Sequence, residues 1–160
     1  MPVAYYAANL LFFHQVTRML KAQKVHIVQE FDFPVAKLFA ALSEHENLRQ
    51  IFAPMNIQRI QDGKDSRNGV GSARKMSLPL APSFVETTLV YRENELIEYA
   101  ITKGLAPIKN HYGVMKFIDL GNRSRLDYTI EFKGRLPLIG PIVKASLQNG
   151  IKKGLKKLKV

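Results

Sequence analysis

The residues best suited to chemistry are five polar side chains within strand-like segments. They are Arg74, Glu86, Tyr99, His111 and Tyr128. Because successive side chains of a strand point to opposite faces, His111 shares a face with Met115 and Phe117 and is expected on an apolar inner wall. An imidazole or a phenol on such a wall can act as a general acid or base, for example in an aldol-type cyclisation. It can equally orient the polar head of an apolar ligand.

Each of these side chains also has a purely structural interpretation. A histidine or tyrosine beside apolar strand residues commonly fills core, with its polar atom hydrogen-bonded. Arg74 and Glu86 would neutralise each other, because an unpaired buried charge is very unfavourable. His111 is therefore the best candidate for a catalytic residue, while the group as a whole favours ligand binding over catalysis.

The orientation of Arg74 and Glu86 is left open by the alternation pattern. Arg74 shares a face with Met76, and Glu86 opens the next strand. In that strand, however, the more apolar set is Leu89 and Tyr91, on the face opposite Glu86. A β-bulge would reconcile the two, because an extra residue exchanges the faces of a strand.

Several classes of chemistry are excluded by composition and spacing. The 160 residues contain no cysteine, which removes thiol nucleophiles, disulfides, thiolate zinc sites and iron–sulfur clusters. The four histidines show no metal-binding spacing, and neither a phosphate-binding loop nor a G-x-S-x-G elbow is present. We therefore expect neither a metal nor a cofactor.

The elements that must position these residues follow from hydrophobic periodicity. A strand is predicted over residues 25–31, and a helix follows from Pro34, a residue suited to the first turn. A second short helix is predicted over 44–52, with Ser43 and Glu46 forming a capping box. Six strands separated by short turn signals come next, which favours antiparallel hairpins. They are predicted at 57–61, 71–78, 84–92, 96–102, 111–119 and 125–133.

A long amphipathic helix is predicted from Leu136 onward. Its apolar stripe includes Val143 and Leu147, which should face the sheet, while lysines occupy the other face. Gly150 and Gly154 lie one turn apart, so another element is expected to approach closely there. The order of one strand, two short helices, six strands and one long helix predicts an α+β fold.

This order resembles the helix-grip fold of the SRPBCC (START-like) superfamily, and more closely its polyketide cyclase/dehydrase and lipid-transport branch. The matching segments are VHIVQEF at 25–31, PVAKLF at 34–39, GVGSAR at 69–74, ETTLVY at 86–91, and the spacing Gly113…Phe117…Gly121…Arg125-Leu126. The resemblance covers residues 24–160. It implies a seven-stranded curved antiparallel sheet wrapped round the C-terminal helix, with a mostly apolar cavity between them.

The resemblance implies a function in binding or carrying a bulky apolar small molecule, such as a lipid, polyketide or isoprenoid-like compound. An enclosed cavity of roughly 300–1,000 Å³ is then expected. The candidate ligand-binding residues are Arg74, Met76, Glu86, Tyr99, His111, Met115, Phe117, Tyr128, Val143 and Leu147. Two alternatives stay open: a cyclase/dehydratase-type enzyme using a cavity histidine or tyrosine, and a quinone-, membrane- or ribosome-associated partner protein. The apolar loops at 79–82 and 104–107, with residues 136–142, are predicted to form a lid.

The net charge of +11 is concentrated near the ends of the chain. Residues 144–160 carry six lysines and no acid, but these lack the interleaved aromatics and arginines typical of RNA binding, which disfavours a nucleic-acid partner. Residues 1–23 are predicted to form a helical extension preceding a domain at 24–160. This helix either packs on the domain or supplies the apolar half of contact with an anionic membrane. A cytoplasmic location, peripheral at the membrane in the second case, is expected; the sequence sets no oligomeric state.

Overall fold

The computed structural model describes residues 21–79, 81–158 and 160. The helices are α1 (Val35–Ser43), a 3₁₀ helix (His45–Gln50) and α2 (Ile139–Leu155). The strands are β1 (Gln23–Phe31), β2 (Asn56–Gln61), β3 (Ala73–Ser77), β4 (Phe84–Arg92), β5 (Leu96–Gly104), β6 (Ile108–Asp119) and β7 (Ser124–Gly134). The N-terminal helix predicted over 1–23 falls almost wholly outside the described residues.

The seven strands form one antiparallel sheet in the order β1-β7-β6-β5-β4-β3-β2. All connections from β2 to β7 join neighbours in the sheet, whereas β1 pairs with β7 at the far edge. The sheet is open, because β1 and β2 do not pair with each other. The helix-grip prediction is therefore confirmed: α2 packs across the inner face beside β1 and β7.

Strict alternation separates the two faces of the central strands. In β7, Leu126, Tyr128 and Ile130 are buried, while the intervening Asp127 and Thr129 are only partly buried on the outer face. In β6 the same alternation buries His111, Gly113, Met115 and Phe117, as predicted.

Irregular pairing between β4 and β5 explains why alternation left the orientation of Glu86 open. The register shifts between Val85 and Glu86 and again between Thr88 and Val90. Glu86 and Thr88 are buried before the second shift, Leu89 is exposed, and Tyr91 packs against the core after it. The predicted bulge therefore lets Glu86 and Tyr91 lie on the same side despite their odd spacing.

The cap predicted for the second short helix is wrong. Glu44, not Ser43, precedes the 3₁₀ helix, and the Ser43 hydroxyl donates to the Ala40 carbonyl 3.4 Å away within α1. Glu46 instead binds the guanidinium of Arg59 on β2, at 3.3 Å, alongside Glu44. Glu44 and Glu46 therefore anchor the 3₁₀ helix to the sheet edge through Arg59.

Helix α2 begins at Ile139, three residues later than predicted, because Leu138 adopts a left-handed backbone conformation with φ of 70°. Ile151 and Leu155 are buried, and the lysines at 152, 153, 156 and 157 are exposed. In the part of the chain that the structure describes, no helix combines the length and hydrophobicity needed to cross a bilayer.

The predicted close approach occurs at Gly154 and not at Gly150. A Cβ at position 154 would lie 2.6 Å from the Ile51 Cα and 2.8 Å from the Gln50 carbonyl oxygen. At position 150 the nearest atom would be the Ile51 carbonyl oxygen at 3.9 Å, an ordinary contact. Gly154 thus sets how closely α2 sits on the segment that follows the 3₁₀ helix.

Alanine substitutions at these two glycines should have opposite effects on stability. We expect Gly154→Ala to lower the free energy of unfolding, by roughly 1–3 kcal/mol, because backbone atoms must move to admit the methyl group. Gly150→Ala should raise it by up to about 1 kcal/mol through helix propensity. Urea denaturation measures both, and equal effects of the two changes would contradict the close approach.

Candidate functional site

A cavity of about 140 Å³ lies between the inner face of the sheet and α2. Five of the predicted site residues line it: Met76, Glu86, His111, Val143 and Leu147. The rest of the wall is apolar apart from Ser146 at the exposed rim. The cavity is smaller than the expected 300–1,000 Å³, because large side chains fill the inner face.

Sequence reasoning missed a large part of the wall. The additional lining residues are Phe52, Met55, Leu78, Phe84, Ile101, Pro107, Ile108, Ile130 and Ser146. Alternation could have identified four of them, because each lies two residues from a predicted site residue. They are Leu78, Phe84, Ile101 and Ile130, which follow or precede Met76, Glu86, Tyr99 and Tyr128 respectively. Phe52 and Met55 come from the irregular segment after the 3₁₀ helix, where no periodic signal exists.

A buried ion pair stands at the polar end of the cavity. Arg74 on β3 and Glu86 on β4 are directly paired across the two strands and are 3% and 6% exposed. Arg74 Nε donates to Glu86 Oε2 at 2.9 Å, and Nη2 lies 2.7 Å from the same oxygen. Burial by itself would lower the pKa of Arg74, but Glu86, together with Tyr99 and Tyr128, outweighs burial and raises that pKa above its ordinary value. The guanidinium of Arg74 is therefore held in its charged form.

Tyr99 and Tyr128 form a second layer behind the ion pair. Their hydroxyls are hydrogen-bonded to each other, and the Arg74 guanidinium lies over the Tyr99 ring, 4.7 Å from its centroid. Burial raises the pKa of both phenols, and the Glu86 carboxylate raises that of Tyr99 further. These tyrosines support the ion pair instead of lining the cavity.

Gly113 is what admits the Tyr99 ring. The two residues are paired across β5 and β6, and a Cβ on Gly113 would lie 2.2 Å from the Tyr99 Cζ atom. Any side chain at this position would therefore displace the ring and, with it, the surface on which the Arg74 guanidinium lies.

His111 lines the cavity beside Glu86. Its Nε2 lies 3.7 Å from Glu86 Oε1, and its ring centroid is 5.6 Å from that of Tyr99. Burial lowers the pKa of His111, Glu86 opposes this, and Arg74 adds to it. The imidazole is therefore neutral near pH 7. The facing carboxylate favours the proton on Nε2.

The other imidazole nitrogen of His111 is the unusual feature of the site. Nδ1 is buried and has no hydrogen-bond partner among the described residues. With the proton on Nε2, Nδ1 is an acceptor without a donor. Buried polar atoms are nearly always paired. His45 Nδ1 is unpaired in the same way, but among the described residues it is His111, not His45, that lines the cavity.

Met115 and Phe117 lie in the core away from the cavity. Met115 is paired with Ile97 and with Tyr128 on the neighbouring strands. Phe117 packs edge-on against Phe39 of α1, with ring centroids 4.8 Å apart. They were predicted to bind ligand only because they share a strand face with His111. They lie too far along β6 from His111 to line the cavity.

The sequence matches a family model over residues 22–160, nearly the whole chain. The model is described as polyketide cyclase / dehydrase and lipid transport. The chain belongs to this family. A search of curated proteins finds no significant match.

Solved structures of similar fold and low sequence identity include a START superfamily protein, an aromatase/cyclase and a synthase. A START superfamily protein from Mycobacterium smegmatis is 16% identical with a TM-score of 0.69, over 84% of this chain and 94% of that one. The Zhui aromatase/cyclase from Streptomyces sp. R1128 is 14% identical with a TM-score of 0.63, over 85% and 88%. Norcoclaurine synthase from Thalictrum flavum, in complex with dopamine and hydroxybenzaldehyde, is 13% identical with a TM-score of 0.59, over 91% and 92%. At these identities the family's fold is what is shared.

Removing one member of the ion pair should be much worse than removing both. We expect Arg74→Met to lower the free energy of unfolding by about 3–5 kcal/mol, because it leaves the Glu86 carboxylate buried and unpaired. Arg74→Met combined with Glu86→Leu should recover most of that loss. Guanidinium denaturation of the wild-type protein, Arg74→Met, Glu86→Leu and the double variant measures the coupling. A double variant as unstable as the sum of both single changes would contradict the buried pairing.

Proposed function

We propose that this protein binds or carries an apolar small molecule with a hydrogen-bond donor, such as a hydroxyl, at one end. The lipid-, polyketide- or isoprenoid-like classes expected from the sequence fit this description. One observation carries the proposal: a nearly apolar wall ends in a neutral imidazole whose buried Nδ1 has no partner among the described residues. A ligand hydroxyl at this end would donate to Nδ1.

The electrostatics of the polar end favour a neutral ligand head. Arg74 and Glu86 form an ion pair with no net charge, and His111 is neutral. A carboxylate or phosphate brought here would find no free cation among the described lining residues, and it would approach the Glu86 carboxylate. A hydroxyl forms its hydrogen bond without carrying a charge into an apolar cavity.

The size of the cavity limits what fits without movement. A volume of about 140 Å³ matches a small bicyclic compound, so a longer ligand must displace part of the wall. Val143 and Leu147 on α2 are only half-buried, and Pro107 and Ser146 are exposed. This side of the cavity wall is therefore the part that would move to admit a longer ligand. The lid predicted from residues 79–82, 104–107 and 136–142 is a hypothesis consistent with such movement.

A cyclase- or dehydratase-type activity is the second candidate, favoured by the same unpaired nitrogen. A neutral His111 whose Nδ1 has no partner among the described residues is suited to remove a proton from a bound ligand that reaches it. Two of the similar folds, an aromatase/cyclase and norcoclaurine synthase, are named for synthetic reactions. Tyr99 and Tyr128 are poorly placed for the role, because their hydroxyls bind each other behind the wall. Any such chemistry would therefore depend on His111.

The proposed hydrogen bond can be tested with a pair of matched fluorescent probes. We expect 2-naphthol, which has a donor, to bind the wild-type protein about 5- to 10-fold more tightly than 2-methoxynaphthalene, which has none. In a His111→Leu variant the two probes should bind with similar affinity. Fluorescence titration gives all four dissociation constants.

The matched design separates the two parts of the proposal. Equal affinity of both probes for the wild-type protein would overturn the role of His111 Nδ1. Failure of both probes to bind would overturn ligand binding in this cavity. Because each comparison is made within one protein, a change in stability caused by His111→Leu does not affect it.

A further inference from the structure

Four large apolar side chains are exposed around the mouth of the cavity. Leu105, Leu136, Leu138 and Ile142 are 68%, 64%, 53% and 61% exposed. We call these four residues the mouth patch. Single exposed apolar residues are common on proteins, but a contiguous group marks an interaction surface.

Backbone contacts hold the mouth patch together. The Arg135 amide donates to the Pro107 carbonyl at 3.0 Å, and its side-chain Nε donates to the Ala106 carbonyl at 2.9 Å. These bonds fix the loop that carries Leu105 against the segment that carries Leu136 and Leu138. Pro107 lines the cavity, so the patch borders its opening.

The start of α2 completes the patch at some conformational expense. Ile142 lies one helical turn beyond Leu138 and donates its amide to the Leu138 carbonyl at 3.1 Å. Leu138 has a φ of 70°, a left-handed conformation that glycine or asparagine normally occupies. The chain thus places a leucine, half-exposed, where a residue without a large side chain would be more favourable.

The surroundings of the mouth patch are basic. Residues 99–118 and 132–160 contain no aspartate or glutamate. Lys103, Lys109, Lys133, Arg135 and Lys144 lie in the segments that carry the patch, and none forms a salt bridge within the described residues. Lys103 lies two residues from both Ile101 of the cavity wall and Leu105 of the patch, and Lys144 lies two residues beyond Ile142 on α2. Lys109 and Lys133 are paired across β6 and β7 but lie on the outer face of the sheet, because Ile108, Phe132 and Gly134 are the buried residues beside them.

We propose that the mouth patch docks the protein on an anionic lipid bilayer, with the cavity mouth facing the lipid. Apolar side chains that enter the interface, together with lysines that attract anionic headgroups, are the two elements of peripheral membrane binding. The border of the mouth patch is basic and contains no acid, so two copies of the chain would repel each other if their patches met. An anionic bilayer is therefore the favoured occupant. Docking stands independently of the cavity's ligand; direct transfer of that ligand between cavity and bilayer rests on the proposed function.

Vesicle flotation of the full chain tests the docking. The wild-type protein should float with vesicles of phosphatidylcholine and phosphatidylserine, and binding should fall at least about 10-fold with phosphatidylcholine alone or in high salt. The triple variant Leu136→Ser/Leu138→Ser/Ile142→Ser should lose at least about 10-fold in partitioning. Its control is Val28→Ser/Leu89→Ser/Leu120→Ser, which removes three exposed apolar side chains elsewhere and should bind like wild type.

Charge is tested by a second matched pair. Lys103→Glu/Lys144→Glu should weaken binding to anionic vesicles by about 10-fold or more, while Lys37→Glu/Lys75→Glu, with the same net charge, should have a clearly smaller effect. Equal losses of binding in the patch and control variants would overturn the assignment. Patch variants that bind like wild type would also overturn it, and would place any membrane binding elsewhere in the chain. Self-association without vesicles that the triple serine variant abolishes would also overturn it, as a contact between copies. Binding of 2-naphthol by the patch variants keeps this result separate from that of the cavity.

Discussion

The buried ion pair of Arg74 and Glu86 is the interaction on which the inner face depends. Two charges with almost no solvent exposure are acceptable only because they are direct neighbours across β3 and β4. Their mutual neutralisation lets a polar end exist in an otherwise apolar interior. The stacking of the Tyr99 ring under Arg74 and the absence of a side chain at Gly113 both follow from accommodating this pair.

The same pair determines the state of His111. A carboxylate already bound to an arginine has less capacity to stabilise an imidazolium, so burial keeps the imidazole neutral. The Glu86 carboxylate beside Nε2 then favours the proton on that nitrogen and leaves Nδ1 as a buried acceptor without a partner among the described residues. The proposed preference for a neutral donor over an anion thus depends on the ion pair beside His111.

The sequence predicted the architecture and the faces of the central strands because each rests on local periodicity. Period-2 alternation in β6 and β7 correctly placed His111 and Tyr128 inward. Alternation gives the face on which a residue lies but not its distance from the cavity. Met115 and Phe117 share the face of His111 but lie too far along β6 to reach the cavity. The orientation of Glu86 depended on pairing irregularities between β4 and β5, which sequence could only suggest. Cavity volume, the lining by Phe52 and Met55, and the left-handed Leu138 arise from packing between distant segments and carry no local signal.

Native mass spectrometry of the full chain purified without detergent from its own cells tests most directly whether the cavity holds a small molecule. Val143→Phe should fill the cavity, whereas Ala145→Phe adds the same ring on the exposed side of α2. We expect the wild-type protein and Ala145→Phe to retain the same additional small mass, and Val143→Phe to lack it. An additional mass retained by all three proteins, or found with none of them, would contradict ligand binding in this cavity.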